Sequence, residues 1–235
     1  MSMPRLLGRA LGWAAVPILA VLAWSLGLEL LRAAGSRFSP NVLRHPAALA
    51  FAGGVFFRVL FHALCTRLNR EDPFEFIDTL EHELTHALLG YLTFSPPISL
   101  SATLKSGGDV ELKGSNPLAA LAPYFLPLWA GLALALGLVV KSGLQATWDI
   151  LIFFLLGVFA YRLGRELRWR QTDLHVYGFT FSLLAVAVLL LLGLALVLHA
   201  RDLLPWTWVA EAGPRALALL REAWSAGAGG RFFLF

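Results

Sequence analysis

The chain alternates apolar blocks of membrane-crossing length with short polar tracts. Residues 10–31, 46–64, 74–94, 117–140, 148–163 and 174–199 form the blocks, and about 20 apolar residues span a bilayer core as helix. The pattern therefore predicts an all-α membrane protein, a polytopic bundle of about six transmembrane helices. The first block follows Arg5 and Arg9 as a signal peptide would. It is longer than an ordinary signal core and lacks a small-x-small cleavage site, so it reads as an uncleaved span. The tail, 203–225, mixes Trp206, Trp208 and Trp224 with Arg215, Glu222 and leucines. That mixture predicts an interfacial amphipathic segment with aromatic headgroup anchors. The implied organisation is an N-terminal helix and loop over 1–45, a membrane-embedded core over 46–199 and the interfacial tail over 200–235.

One stretch breaks the helical pattern. Ile98, Leu100, Ala102 and Leu104 alternate with Ser99, Ser101 and Thr103, then Ser106–Asp109 carries two glycines, and Val110–Lys113 alternates again. Period-two alternation across a Gly-Gly turn predicts a short β-hairpin. Within a membrane, open backbone survives only where protein or a wet cavity covers it.

Composition agrees with the block pattern. Of 235 residues 58% are hydrophobic and 14% charged, with mean hydropathy +0.70, far more apolar than soluble domains. The net charge of +4 sits in arginine tracts between blocks, so it speaks for topology and a lipid bilayer and against nucleic acid. Arg162, Arg165, Arg168 and Arg170 read as a cytoplasmic loop before the sixth block, and Arg32, Arg37 and Arg44 fall on the same side. Arg5 and Arg9 fall on the other. Cys65 is the one cysteine, which excludes an internal disulfide or a cysteine-rich metal site.

Against this background the third block carries His82-Glu83-Leu84-Thr85-His86. Histidines four apart share a helix face and can bind one metal ion, with the intervening glutamate at the same rim to take a proton from water. Imidazole nitrogen suits zinc, and ionisable groups in an apolar helix mark a functional site. Glu75, Asp78, His82 and His86 make one polar stripe, with Phe76, Ile77, Leu80, Leu84, Ala87, Leu88 and Tyr91 opposite. A catalytic zinc needs a third protein ligand. Asp109, Glu111, Asp149, Glu166, Asp173 and His175 are the candidates. Span parity disfavours Asp149 and puts Asp173 on the side where the motif helix ends; Asp173 is preferred, with His175 and Glu166 as alternatives. Glu166, among arginines, reads as a surface ion pair. Arg58 and His62, one turn apart, either contact the acids of the motif helix or snorkel towards an interface, and snorkelling is preferred; His45 and His199 read as interfacial. Asn116, Pro123 and Pro127 read as a helix start and kinks in preference to a kinked helix beside the metal in which Asn116 hydrogen-bonds a substrate or oxyanion.

HELTHALLGY in an apolar helix, the following SGGDVEL and the later QTDLHVYGFTFS resemble the site-2 protease family of intramembrane zinc metalloproteases. The resemblance spans roughly residues 74–185. It departs from the family at Thr85, where glycine is usual, and at Thr172-Asp173-Leu174, where a Leu-Asp-Gly context is common. It implies that His82, His86 and Asp173 bind zinc, that Glu83 activates water, and that residues 98–113 offer a β edge to an unwound substrate strand. The expected protein is thus a multi-pass, cell-membrane zinc endopeptidase acting on membrane-protein substrates; the alternative is a non-catalytic scaffold or regulator that keeps the fold. Nothing in the sequence signals an oligomeric state.

Overall fold

The structure, a computed structural model, describes residues 3–37, 45–103, 107–114, 116–167 and 171–228. It is helical apart from one two-stranded sheet. Arg44, Arg168, Arg170 and the hairpin tip at 104–106 lie outside the described residues.

Each apolar block forms helix. The helices are α1 (Met3–Arg37), α2 (Pro46–Arg67), α3 (Pro73–Leu92), α4 (Pro117–Phe125), α5 (Leu128–Gly137), α6 (Gln145–Glu166), α7 (Thr172–Val176), α8 (Phe179–Ala200) and α9 (Thr207–Ala228). Several starts are written locally. Proline occupies the first turn of α2, α3 and α4, where its missing N–H costs nothing. His45, Asp72 and Asn116 precede those prolines and accept backbone N–H groups of the first turn. Asn116 is thereby engaged at a helix start, as its sequence context suggests.

The expected six spans become four or five. Among the described residues, Ala15–Gly35, α2, α6 and α8 are long and apolar enough to cross a membrane, and α4 with α5 makes a fifth if a 78° bend is allowed within one span. Helix α3 drops out because Glu75, Asp78, Glu81 and Glu83 interrupt its apolar run. The sixth block is also shorter than expected. Gly178, at φ +100°, ends α7 and starts α8, so Asp173 sits in a short helix ahead of the span.

The chain divides into two compact units. Met1–Ser39 with Leu174–Phe235 form one, in which α1 packs against α8 and α9. Its buried Glu29 pairs with Arg215 and, at 3.1 Å, with Arg32. Trp208 is buried there, a correction to its reading as a headgroup anchor; Trp206 and Trp224 are exposed.

Pro40–Asp173 form the second unit. Helices α2 and α6 meet at backbone distance. A Cβ at Gly54 would overlap the Phe154 carbonyl, and one at Gly157 the Phe51 carbonyl. Helix α3 packs against α4 and both strands, and α5 against α6. Strands β1 (Pro97–Thr103) and β2 (Gly107–Leu112) are antiparallel, pairing Leu100 with Val110 and Thr103 with Gly107. The two glycines expected at the turn thus open β2 instead. The hairpin docks on α3.

Candidate metal centre

Helix α3 is amphipathic with its polar side inward. Glu81, Glu83, Thr85 and His86 are buried, whereas Ile77, Leu88, Tyr91 and Leu92 are exposed. This inversion suits a helix at membrane depth. The Thr85 hydroxyl turns back to donate to the Glu81 carbonyl.

His82, His86 and Asp173 converge. Each offers one ligand atom, and the three lie within 4.8 Å of one another. His82 Nε2 is 3.6 Å and His86 Nε2 3.8 Å from Asp173 Oδ2. Ligand atoms of a tetrahedral zinc at ~2.0–2.2 Å stand a little over ~3 Å apart, so the two histidine–aspartate separations are close to those a shared ion requires. His175 and Glu166 are outside the set; the His175 ring stacks on Phe179 at 5.4 Å.

The outer ring nitrogens explain why the inner ones fit a metal. His86 Nδ1 is 2.7 Å from the Ala119 carbonyl, which can only accept, so Nδ1 carries the proton. His82 Nδ1 is 3.3 Å from Glu166 Oε2, a carboxylate that holds the proton on that side in the same way. In neutral rings both Nε2 atoms are then acceptors facing a further acceptor, Asp173 Oδ2. Such a donor set calls for a cation at its centre, and histidines oriented through their second nitrogen are the usual arrangement at metals. Tyr124, fully buried, donates to Asp173 Oδ2 at 3.1 Å and sets its ring edge-on to His82. With the rings protonated instead, burial still pushes the Asp173 carboxyl up, but hydrogen bonds and charge from the two imidazolium groups outweigh it and hold the group well below the ordinary carboxylate range.

Glu83 is buried beneath the hairpin. A Cβ at Gly108 would meet the Glu83 Cγ and carboxylate, so a larger residue there would push the Glu83 side chain from this position.

Three arginines compensate the other acids of α3. Arg58, 0% exposed, lies 2.5 Å from Asp78 and 3.2 Å from Asp72, and stacks on Phe74 and Tyr161. His62 faces Asp72 at 3.4 Å. The snorkelling reading of Arg58 and His62 is thereby corrected: an apolar surrounding leaves a guanidinium no better choice than a buried carboxylate. Arg162, 2% exposed, approaches Glu81 at 3.6 Å and donates at 3.2 Å to the carbonyls of Asp78 and Pro123. It belongs to this network and not to a topological loop. Arg165 pairs with Glu75 at 3.3 Å. Glu166 turns to His82 instead of making the expected arginine pair.

The same network covers the helix break. Pro127 has no N–H for the Pro123 carbonyl, and Arg162 supplies one. Glu81 Oε1 accepts from Trp129 N–H at 3.2 Å, in the first turn of α5. Broken helices survive at membrane depth when neighbouring side chains satisfy such backbone groups. One sequence signal pointed this way: acids in excess on α3 require partners, and Arg58 and Arg162 are the arginines placed inside apolar blocks.

A second cluster, His62, Asp72 and Glu75, also brings ligand atoms together, but Arg58 and Arg165 already occupy its carboxylates.

No protein-family model matches the chain, and neither a curated protein nor a solved structure matches it.

Proposed function

We propose that this multi-pass membrane protein is a zinc-dependent intramembrane endopeptidase of the site-2 protease type, cleaving in or near transmembrane segments of other proteins in the cell membrane. The observation that carries the reading is the convergence of His82, His86 and Asp173, with Glu83 buried on the same helical turn. The donor set, two imidazoles and one carboxylate, is that of a catalytic zinc that keeps a position open.

His82, His86 and Asp173 would hold the ion. When bound, zinc supplies Lewis acidity and lowers the pKa of water. Glu83 takes the proton from the attacking water and returns it to the leaving amine. Glu166 and the Ala119 carbonyl keep each imidazole in the orientation that presents Nε2. Tyr124 fixes Asp173 through its hydroxyl. Burial of Glu83 under β2 restricts water around it.

The test pairs metal content with proteolysis of a transmembrane-segment reporter in vesicles. Wild-type protein is expected to carry one zinc. Glu83→Gln should keep it while cleavage falls by ~10²-fold or more, and Asp173→Asn should lower zinc retention. Cleavage by Glu83→Gln at the wild-type rate removes the catalytic role and leaves a metal-binding scaffold. Wild-type protein that takes up no zinc ends the whole reading.

A further inference from the structure

Helix α4 contains Pro123, four residues after Ala119. In an α-helix the carbonyl of residue i accepts from the N–H of residue i+4. Proline has no N–H, so the Ala119 carbonyl loses its helical partner. That carbonyl belongs to a residue that is 0% exposed, and an orphaned buried carbonyl is costly. It is not orphaned, because His86 Nδ1 reaches it at 2.7 Å. Four residues on, the Pro123 carbonyl lies in the last turn of α4, where no helical N–H follows, and Arg162 takes it at 3.2 Å.

We infer that Pro123 is a positioning residue for His86: by withholding the helical N–H, it reserves the Ala119 carbonyl for Nδ1 and so keeps the imidazole in the tautomer whose Nε2 faces Asp173. The inference rests on the metal reading for its use, but its physical content is the ring tautomer, which exists without metal. The two groups satisfy each other. The carbonyl gains a donor, and the imidazole gains an acceptor that fixes both its proton and its rotation. With an N–H restored at position 123 the carbonyl is shared, and the imidazole loses its strongest reason to hold the proton on Nδ1.

The decisive comparison uses three forms of the full chain. Pro123→Ala restores the N–H and is also a better helix former, so the fold has no reason to fail. The same variant with an ester in place of the 122–123 amide, made with lactic acid at position 123, keeps the methyl side chain and removes the N–H again. ¹⁵N spectra of histidine-labelled, metal-free protein report which His86 nitrogen is protonated, and chelator competition reports the zinc Kd. Wild type and the ester form should show Nδ1–H. Pro123→Ala should show a mixture of tautomers and bind zinc ~10-fold more weakly. The inference is overturned if Pro123→Ala keeps the wild-type tautomer and a Kd within about twofold of wild type, or if the folded ester form behaves like Pro123→Ala. A tautomer that follows the N–H in a protein that takes up no zinc would sink the metal reading and leave the positioning intact. Zinc binding by a protein in which both the His86 tautomer and the affinity ignore position 123 would do the reverse.

Discussion

Helices α3 and α8 have similar lengths and opposite logic. Helix α8, Phe179–Ala200, contains no charged residue and only Thr180, Ser182 and His199 as polar side chains. Helix α3, Pro73–Leu92, carries acids and histidines on most of its turns and buries them. Little in α8 depends on a particular partner, since lipid tails are as apolar as its own leucines. Nearly every polar group on α3 is matched to one atom elsewhere: Asp78 to Arg58, Glu81 to Arg162 and Trp129 N–H, His82 to Glu166, and His86 to Ala119. Apolar helices tolerate variation in where they lie, whereas a buried charge does not. The difference shows that the specificity of the second unit resides in its ion pairs.

The largest effect expected from this contrast is on stability. Arg162→Met leaves Glu81 buried and uncompensated and should cost about 3–5 kcal/mol. Val186→Ala, which truncates a buried side chain of α8, should cost about 1 kcal/mol, since only packing is lost. Unfolding in mixed micelles measures both, and equal losses would erase the distinction between the two helices. The double variant Arg162→Met with Glu81→Leu should recover much of the loss.

A middle-sized effect should appear at the outer ligand contacts. Glu166→Ala removes the acceptor of His82 Nδ1 and should weaken zinc binding ~10–100-fold, read by competition with a chelator of known affinity. Unchanged affinity would mean that the His82 orientation is set by packing alone. The smallest effect belongs to Arg165, next in sequence. Its pair with Glu75 is partly exposed, so Arg165→Ala should change stability by less than about 1 kcal/mol and leave zinc affinity alone. A large loss there would extend the buried network to its solvent end.

The comparison also marks what could be read from the sequence. The extents of α2, α3 and α6 are written in apolar runs, and the starts of α3 and α4 in Asp72-Pro73 and Asn116-Pro117, whereas the start of α8 is set by Gly178 inside an unbroken apolar run. The hairpin is written in its alternation. The placing of His82 and His86 on one face of α3 follows from four-residue spacing; span parity counts α3 as a crossing helix, and α3 is not among the helices long and apolar enough to cross, so the approach of Asp173 to the two rings is legible only in the fold. What escaped needs three dimensions. Glu166 lies among arginines in sequence yet faces a histidine 84 residues away. Arg58 looks like a misplaced cation until Asp72 and Asp78 are folded against it. The count of spans is lower than the apolar blocks suggest because α3 is apolar on one face only. Short-range pattern records which residues want burial; it does not record which buried atom meets which.

The facing glycines of α2 and α6 have a mechanical consequence. Gly54 lies one turn before Arg58, and Gly157 lies shortly before Arg162 and Glu166. With carbonyls seated where side chains would be, the two helices behave as a clamped pair of rails. The guanidinium reach of one rail and the carboxylate reach of the other are gauged from that clamp. A single methyl wedged between the rails would therefore be felt at the charges around α3, although it touches none of them.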